Sequence, residues 1–133
     1  MRTREHVLKA GRIEATLRKL DSERDYEMII ETCMLAATHL LNAALHTRGV
    51  THGHSDQSHT IRPPLEFFRK PVDAELEEAM KPLKFIEGLR PLHVRGGAPH
   101  DPQMVEQCLG AFETAKQGFL GIIGDAADKP PWE

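Results

Sequence analysis

The stretch from Met28 to Leu45, MIIETCMLAATHLLNAAL, is apolar on almost every side of a helix. Its few polar positions are not scattered. Glu27, Glu31, Thr38 and Asn42 follow one another at four, seven and four residues, so on a helix they form one narrow stripe. A helix with one thin polar stripe must be covered by neighbours on its remaining sides. Its length invites comparison with a membrane span. Glu31, His39 and Asn42 within it, and the lack of any longer apolar run, argue instead for the central helix of a soluble bundle with no membrane role.

The other segments supply the covering helices. A first helix is expected over residues 4–20, with Thr3 as N-cap and Ala10, Ile13, Leu17 and Leu20 turned inward. Ser22 can cap the central helix, expected from about residue 23 to 47, with Asp25 completing a capping-box-like arrangement. So short a connection makes the first two helices an antiparallel hairpin. A third helix opens at Asp73, and Pro82 inside it predicts a kink or break near residues 78–82. Residues 90–100, with Pro91, Gly96, Gly97 and Pro99, form the next connection. Asp101 as N-cap and Pro102 at the first helical position open the last helix. Met104, Cys108, Phe112, Ala115 and Phe119 give it the clearest inward stripe in the chain, and Gly121 and Gly124 close it.

The expected fold is therefore all-α: a four-helix up-down-up-down bundle of one domain over residues 1–125, with a flexible tail at 126–133. A long loop over 49–71 separates the second and third helices, and Leu65, Phe67 and Phe68 within it are expected to fold back on the bundle. At 133 residues one core is the natural outcome. The apolar band on the second helix and the Phe67-Phe68 pair suggest more surface than so small a bundle covers, hence a homodimer.

Charge and composition narrow the function classes. A net charge of −3 argues against a bulk cationic nucleic-acid binder, although Arg2, Arg4, Lys9, Arg12, Arg18 and Lys19 make the first helix locally basic. An aromatic content of 5% removes the stacking platform of single-strand binders. The N-terminal residues lack an apolar core of signal-peptide length, and Cys33 and Cys108 fall on apolar helical faces. Both cysteines read as reduced, buried residues of a cytoplasmic protein.

Four constellations could carry chemistry. In the first, Arg95 is followed by Gly96-Gly97-Ala98-Pro99 and then His100, at the entry to the last helix. An Arg-x4-His pair there, in a small helical bundle, resembles the HEPN superfamily, whose RNase members carry an R-x4–6-H motif in this region. The resemblance implies a HEPN-like bundle and a metal-independent RNase site completed across a dimer. In it Arg95 would hold the scissile phosphate and His100 would move the 2′-hydroxyl proton. Gly96 stands where the family favours a polar residue, and the Gly-Pro-rich spacer keeps the pair off one helical face. Arg48 and His54 match the same pattern elsewhere. Family members without a working motif bind a nucleotide or pair with a nucleotidyltransferase, and Arg90, Arg95, Lys9 and Arg12 would suit such phosphate contact. The favoured expectation is thus a binding module for nucleotide, RNA or a partner protein, without a cofactor; the RNase is the alternative.

In the second, His52, His54 and His59 could hold Zn²⁺ or Ni²⁺, but only Asp56 lies nearby to complete the set, so a solvated loop is the simpler reading. In the third, His39 and His46 point the same way but are about 10 Å apart along the helix axis. They are not expected to share a metal, and should hydrogen-bond in the core or at an interface. In the fourth, the stripe of Glu31, Thr38 and Asn42 is either a solvated edge or the floor of a cleft or dimer interface, with Glu31 as partner for an arginine.

Overall fold

The computed structural model describes residues 1–51, 56 and 72–124. These residues form four helices and, among themselves, no strand: α1 (Thr3–Leu17), α2 (Tyr26–Thr47), α3 (Ala74–His93) and α4 (Pro102–Ile123). The expected fold-back of Leu65, Phe67 and Phe68 and the expected tail lie outside the described residues.

Local chemistry sets the helix ends. Arg2 rather than Thr3 is the N-cap of α1, and its N–H donates to the Glu5 carboxylate at 2.9 Å. The α1–α2 connection is longer than expected at both sides, because Asp21 organises it. Its carboxylate accepts from the N–H groups of Glu23 and Arg24 at 2.8 and 2.9 Å, and its own N–H donates to Asp25 at 2.8 Å. Residues 21–25 are thus held in a turn that competes with helix, and α2 begins only at Tyr26. In α3 the Asp73 side chain accepts from the Leu76 N–H at 2.8 Å. The helix then runs through Pro82 and on through Pro91 to His93, so the expected break near 78–82 does not occur. The carbonyl that Pro82 deprives of a donor belongs to Glu78, an exposed residue that water can serve, while Leu76, Ala79, Leu83 and Ile86 anchor both sides in the core. Asp101 and Pro102 open α4 as expected, with Asp101 accepting from the Gln103 N–H at 3.0 Å.

Helix α2 packs against all three others, and α3 packs against α4. It is apolar and long enough to cross a membrane, but 78% of its most apolar window is buried inside the bundle. Ala36, Ala37, Ala43 and Ala44 are fully buried and let neighbours approach closely, while Ile30, Met34, Leu41 and Leu45 meet Phe112 and Phe119 of α4 in one core. Gly118 of α4 marks a second close approach. A Cβ there would lie 3.0 Å from the Ala79 Cβ of α3. Cys33 and Cys108 are free and buried between α2 and α4. The Cys33 thiol is held above its ordinary range, first by its hydrogen bond with Cys108 and then by burial, so it stays a protonated core residue.

End pairings fix the topology. Arg48, at the end of α2, reaches Asp73 and Glu75 at the start of α3 at 2.6 and 2.5 Å. Near the other end, Arg90 of α3 engages Glu31 of α2 at 2.5 Å. Tyr26 at the start of α2 donates to the Ala98 carbonyl at 3.2 Å and meets the His100 ring, just before α4, at a tilt of 57°. Successive helices are therefore antiparallel.

Candidate functional site

The antiparallel hairpin brings the start of α1 against the C-terminal half of α2. His6 enters that seam and is 1% exposed. His39 and His46, on one side of α2, receive it between them, with ring centroids 5.1 and 5.3 Å from the His6 ring. One imidazole from α1 thus bridges two from α2 that are too far apart to meet.

A turn then carries the chain back over this end. Gly49 has φ 71°, in the left-handed region that favours glycine. Its N–H donates to the His46 carbonyl at 3.1 Å, and the Val50 N–H donates to the Leu45 carbonyl at 2.9 Å. This is a Schellman closure of α2. It buries Val50 and Thr51 and sets the Thr51 hydroxyl 2.7 Å from His46 Nδ1.

Asp56 completes the cluster. Its Oδ1 lies 2.8 Å from His6 Nε2 and 2.8 Å from His46 Nε2, and its Oδ2 accepts from the Met1 amino group at 3.1 Å. The opposite nitrogen of each ring is also engaged: His6 Nδ1 lies 2.9 Å from His39 Nδ1, and His46 Nδ1 meets Thr51. His6 Nε2, His46 Nε2 and an Asp56 oxygen all lie within 4.8 Å of one another.

The electrostatics keep these groups in the forms a cation needs. Burial lowers the pKa of His6, and Asp56 only partly opposes it. Burial also lowers that of His39, helped by His6 and Lys9. Partial burial pushes Asp56 upward, but hydrogen bonds from His6, His46 and the amino terminus outweigh it, so its pKa is lowered. Near neutral pH, His6 and His39 are therefore uncharged and Asp56 is a carboxylate. Metal ligands must be in these protonation states.

The residues singled out from sequence are distributed differently. His52, His54 and His59 lie outside the described residues. His39 hydrogen-bonds His6 across the α1–α2 interface, while His46 bonds Thr51 and Asp56 beyond the end of α2. Glu31 finds the expected arginine partner, Arg90, within its own chain, with both side chains largely buried. Thr38 and Asn42 are not a solvated edge. Both are buried; Thr38 donates to the Met34 carbonyl at 2.8 Å and Asn42 to the Thr38 carbonyl at 3.1 Å. Lys9 and Arg12 are exposed on α1. Arg95 is exposed in the turn after α3, its N–H donating to the Arg90 carbonyl at 2.9 Å. Gly96 makes that turn possible, since a Cβ there would sit 2.7 Å from the Leu92 carbonyl oxygen. His100 packs against Tyr26 with tilted rings and lines a shallow apolar cavity of about 250 Å³ with Ser22, Glu23 and Leu109. Among the described residues, no hydrogen bond or ring contact joins Arg95 to His100.

Sequence reading passed over His6 and gave Asp56 only a minor place. The available signal was the pair His39 and His46 on one side of α2, facing whatever the antiparallel α1 presents. Comparison with known protein families, with curated proteins and with solved structures returns no match.

Proposed function

We propose that the protein binds one late first-row divalent metal ion, of the Zn²⁺, Co²⁺ or Ni²⁺ kind, through His6 Nε2, His46 Nε2 and the Asp56 carboxylate. The observation that carries this reading is convergence: two imidazole nitrogens from different helices point at one carboxylate oxygen. Metal-binding imidazoles characteristically spend their other nitrogen on a second partner that fixes the ring, and both rings do so here, on His39 and Thr51. Two imidazole nitrogens and a carboxylate suit borderline ions better than Mg²⁺ or Ca²⁺, which prefer all-oxygen sets. Donors bonded to a tetrahedral ion at about 2.0–2.1 Å stand about 3.3 Å apart. The two 2.8 Å His–Asp separations are hydrogen-bonded ones and would widen by about half an ångström around an ion, and the two imidazole nitrogens already lie within 4.8 Å of each other.

A HEPN-like module for nucleotide, RNA or a partner protein, or a metal-independent RNase, would draw on Lys9, Arg12, Arg90, Arg95 and His100. Arg90 is committed to Glu31, and among the described residues no hydrogen bond or ring contact joins Lys9, Arg12, Arg95 and His100 to one another, so the metal centre is the better-supported reading. On α2 the exposed large hydrophobics are Met28 and Leu35, and the Phe67-Phe68 pair behind the homodimer expectation lies outside the described residues.

The test is calorimetric titration of chelator-treated protein with Zn²⁺. Wild type should show a single saturable site, lost in Asp56→Asn and in His46→Asn but kept when His52, His54 and His59 are all changed to Gln. Binding that survives both single substitutions, or vanishes only in the triple variant, would refute the assignment.

A further inference from the structure

Resting on the metal reading, we infer that His39 is a positioning residue whose ring changes tautomer when the ion enters, so that the buried His6 stays fully hydrogen-bonded in both states. The argument is one of counting hydrogens, which the network assigns. A carboxylate such as that of Asp56 can only accept. Without metal, its Oδ1 must therefore receive the hydrogen of His6 Nε2 across 2.8 Å. A neutral His6 ring carries one N–H, so its Nδ1 is then bare, and His39 must donate from its own Nδ1 across the 2.9 Å contact.

An ion can take His6 Nε2 only through the lone pair that this hydrogen occupies. Loading therefore sends the Nε2 proton to solvent. The hydrogen shared between the rings then crosses from His39 Nδ1 to His6 Nδ1, and the half-exposed His39 takes a proton from solvent at its Nε2. One proton leaves and one arrives, so the pair is neutral before and after. The His6–His39 hydrogen bond persists with donor and acceptor exchanged.

The choice of side chain at position 39 follows from this. Imidazole Nδ1 can donate or accept, whereas a backbone carbonyl or a carboxylate in the same place could serve only the loaded state. Thr51 gives His46 the same freedom, because a hydroxyl also plays both roles. Neither metal-free nor metal-bound protein need bury an unsatisfied ring nitrogen, which is otherwise a substantial penalty.

Two-bond ¹⁵N–¹H spectra of uniformly labelled full-length protein read histidine tautomers directly, before and after Zn²⁺. In wild type, His39 should carry its hydrogen on Nδ1 without metal and on Nε2 with it, while His6 shifts from Nε2–H to Nδ1–H. Zinc bound by calorimetry with His39 unchanged would overturn the inference alone. Zinc that does not bind at all would overturn the metal reading as well. Substitution adds a second arm. His39→Leu, which can neither donate nor accept, should weaken Zn²⁺ binding by about 10–100-fold. His39→Asn, whose amide offers either role close to the Nδ1 position, should recover most of that loss. Equal affinity in all three proteins would also count against the inference.

Discussion

His6 shows how burial and chemistry are coupled at a single residue. A ring 1% exposed is costly to charge, and that cost outweighs the attraction of Asp56. Its folded pKa lies below the ordinary 6.5, so the sign of its pH effect is fixed. Above pH 6.5 the ring is neutral in folded and unfolded chains alike. As the pH falls below 6.5 the unfolded chain takes up a proton that the native chain resists, and stability drops. His39 acts in the same direction, and Asp56 does so further down, below the ordinary 3.8. Urea unfolding in chelator should therefore show stability level above pH 6.5 and declining from there to pH 5, with a shallower decline in His6→Asn. A flat profile in wild type over that range would show that His6 is not buried neutral.

At the level of elements, the turn after α2 does more than end a helix. Its Schellman geometry delivers Thr51 to His46, and the geometry rests on Gly49 at φ 71°. A β-branched residue is strained there, so Gly49→Val should destabilise the protein by about 1–3 kcal/mol and weaken Zn²⁺ binding together with it. Thermal unfolding and calorimetry check both effects, and loss of stability with unchanged affinity would separate the turn from the site. Some elements were legible in the sequence because their signals were local and mutually consistent. Asp101-Pro102 and the five-residue stripe of α4 are one case, and the near-continuous apolar face of α2 is another. The end of α1 and the start of α2 were misplaced because the Asp21 carboxylate caps a turn that periodicity does not register. Pro82 misled in the opposite sense, since its cost depends on whether water reaches the Glu78 carbonyl, and that is decided only by tertiary placement.

On the scale of the whole molecule, the bundle separates its polar features by position. The Glu31–Arg90 pair and the Tyr26–His100 contact lie toward the end where α2 begins, and the histidine cluster lies toward the end where it closes. The cluster was only half readable from sequence. His39 and His46 share a side of α2, but His6 joins them through hairpin register and Asp56 through the chain after Thr51, neither of which spacing along one helix can reveal. Because the ligands come from α1, α2 and the segment beyond it, an ion bound there ties these parts of the native chain together. Zn²⁺ at 100 times its dissociation constant should raise unfolding free energy by about 2.7 kcal/mol, and Asp56→Asn should abolish the gain.

The most direct measurement is anomalous diffraction at the zinc edge from crystals of Zn²⁺-loaded protein. The metal reading predicts one strong peak at about 2.0–2.2 Å from His6 Nε2, His46 Nε2 and an Asp56 oxygen. A peak held without His6 and His46, or no ordered peak in protein that binds zinc in solution, would contradict it.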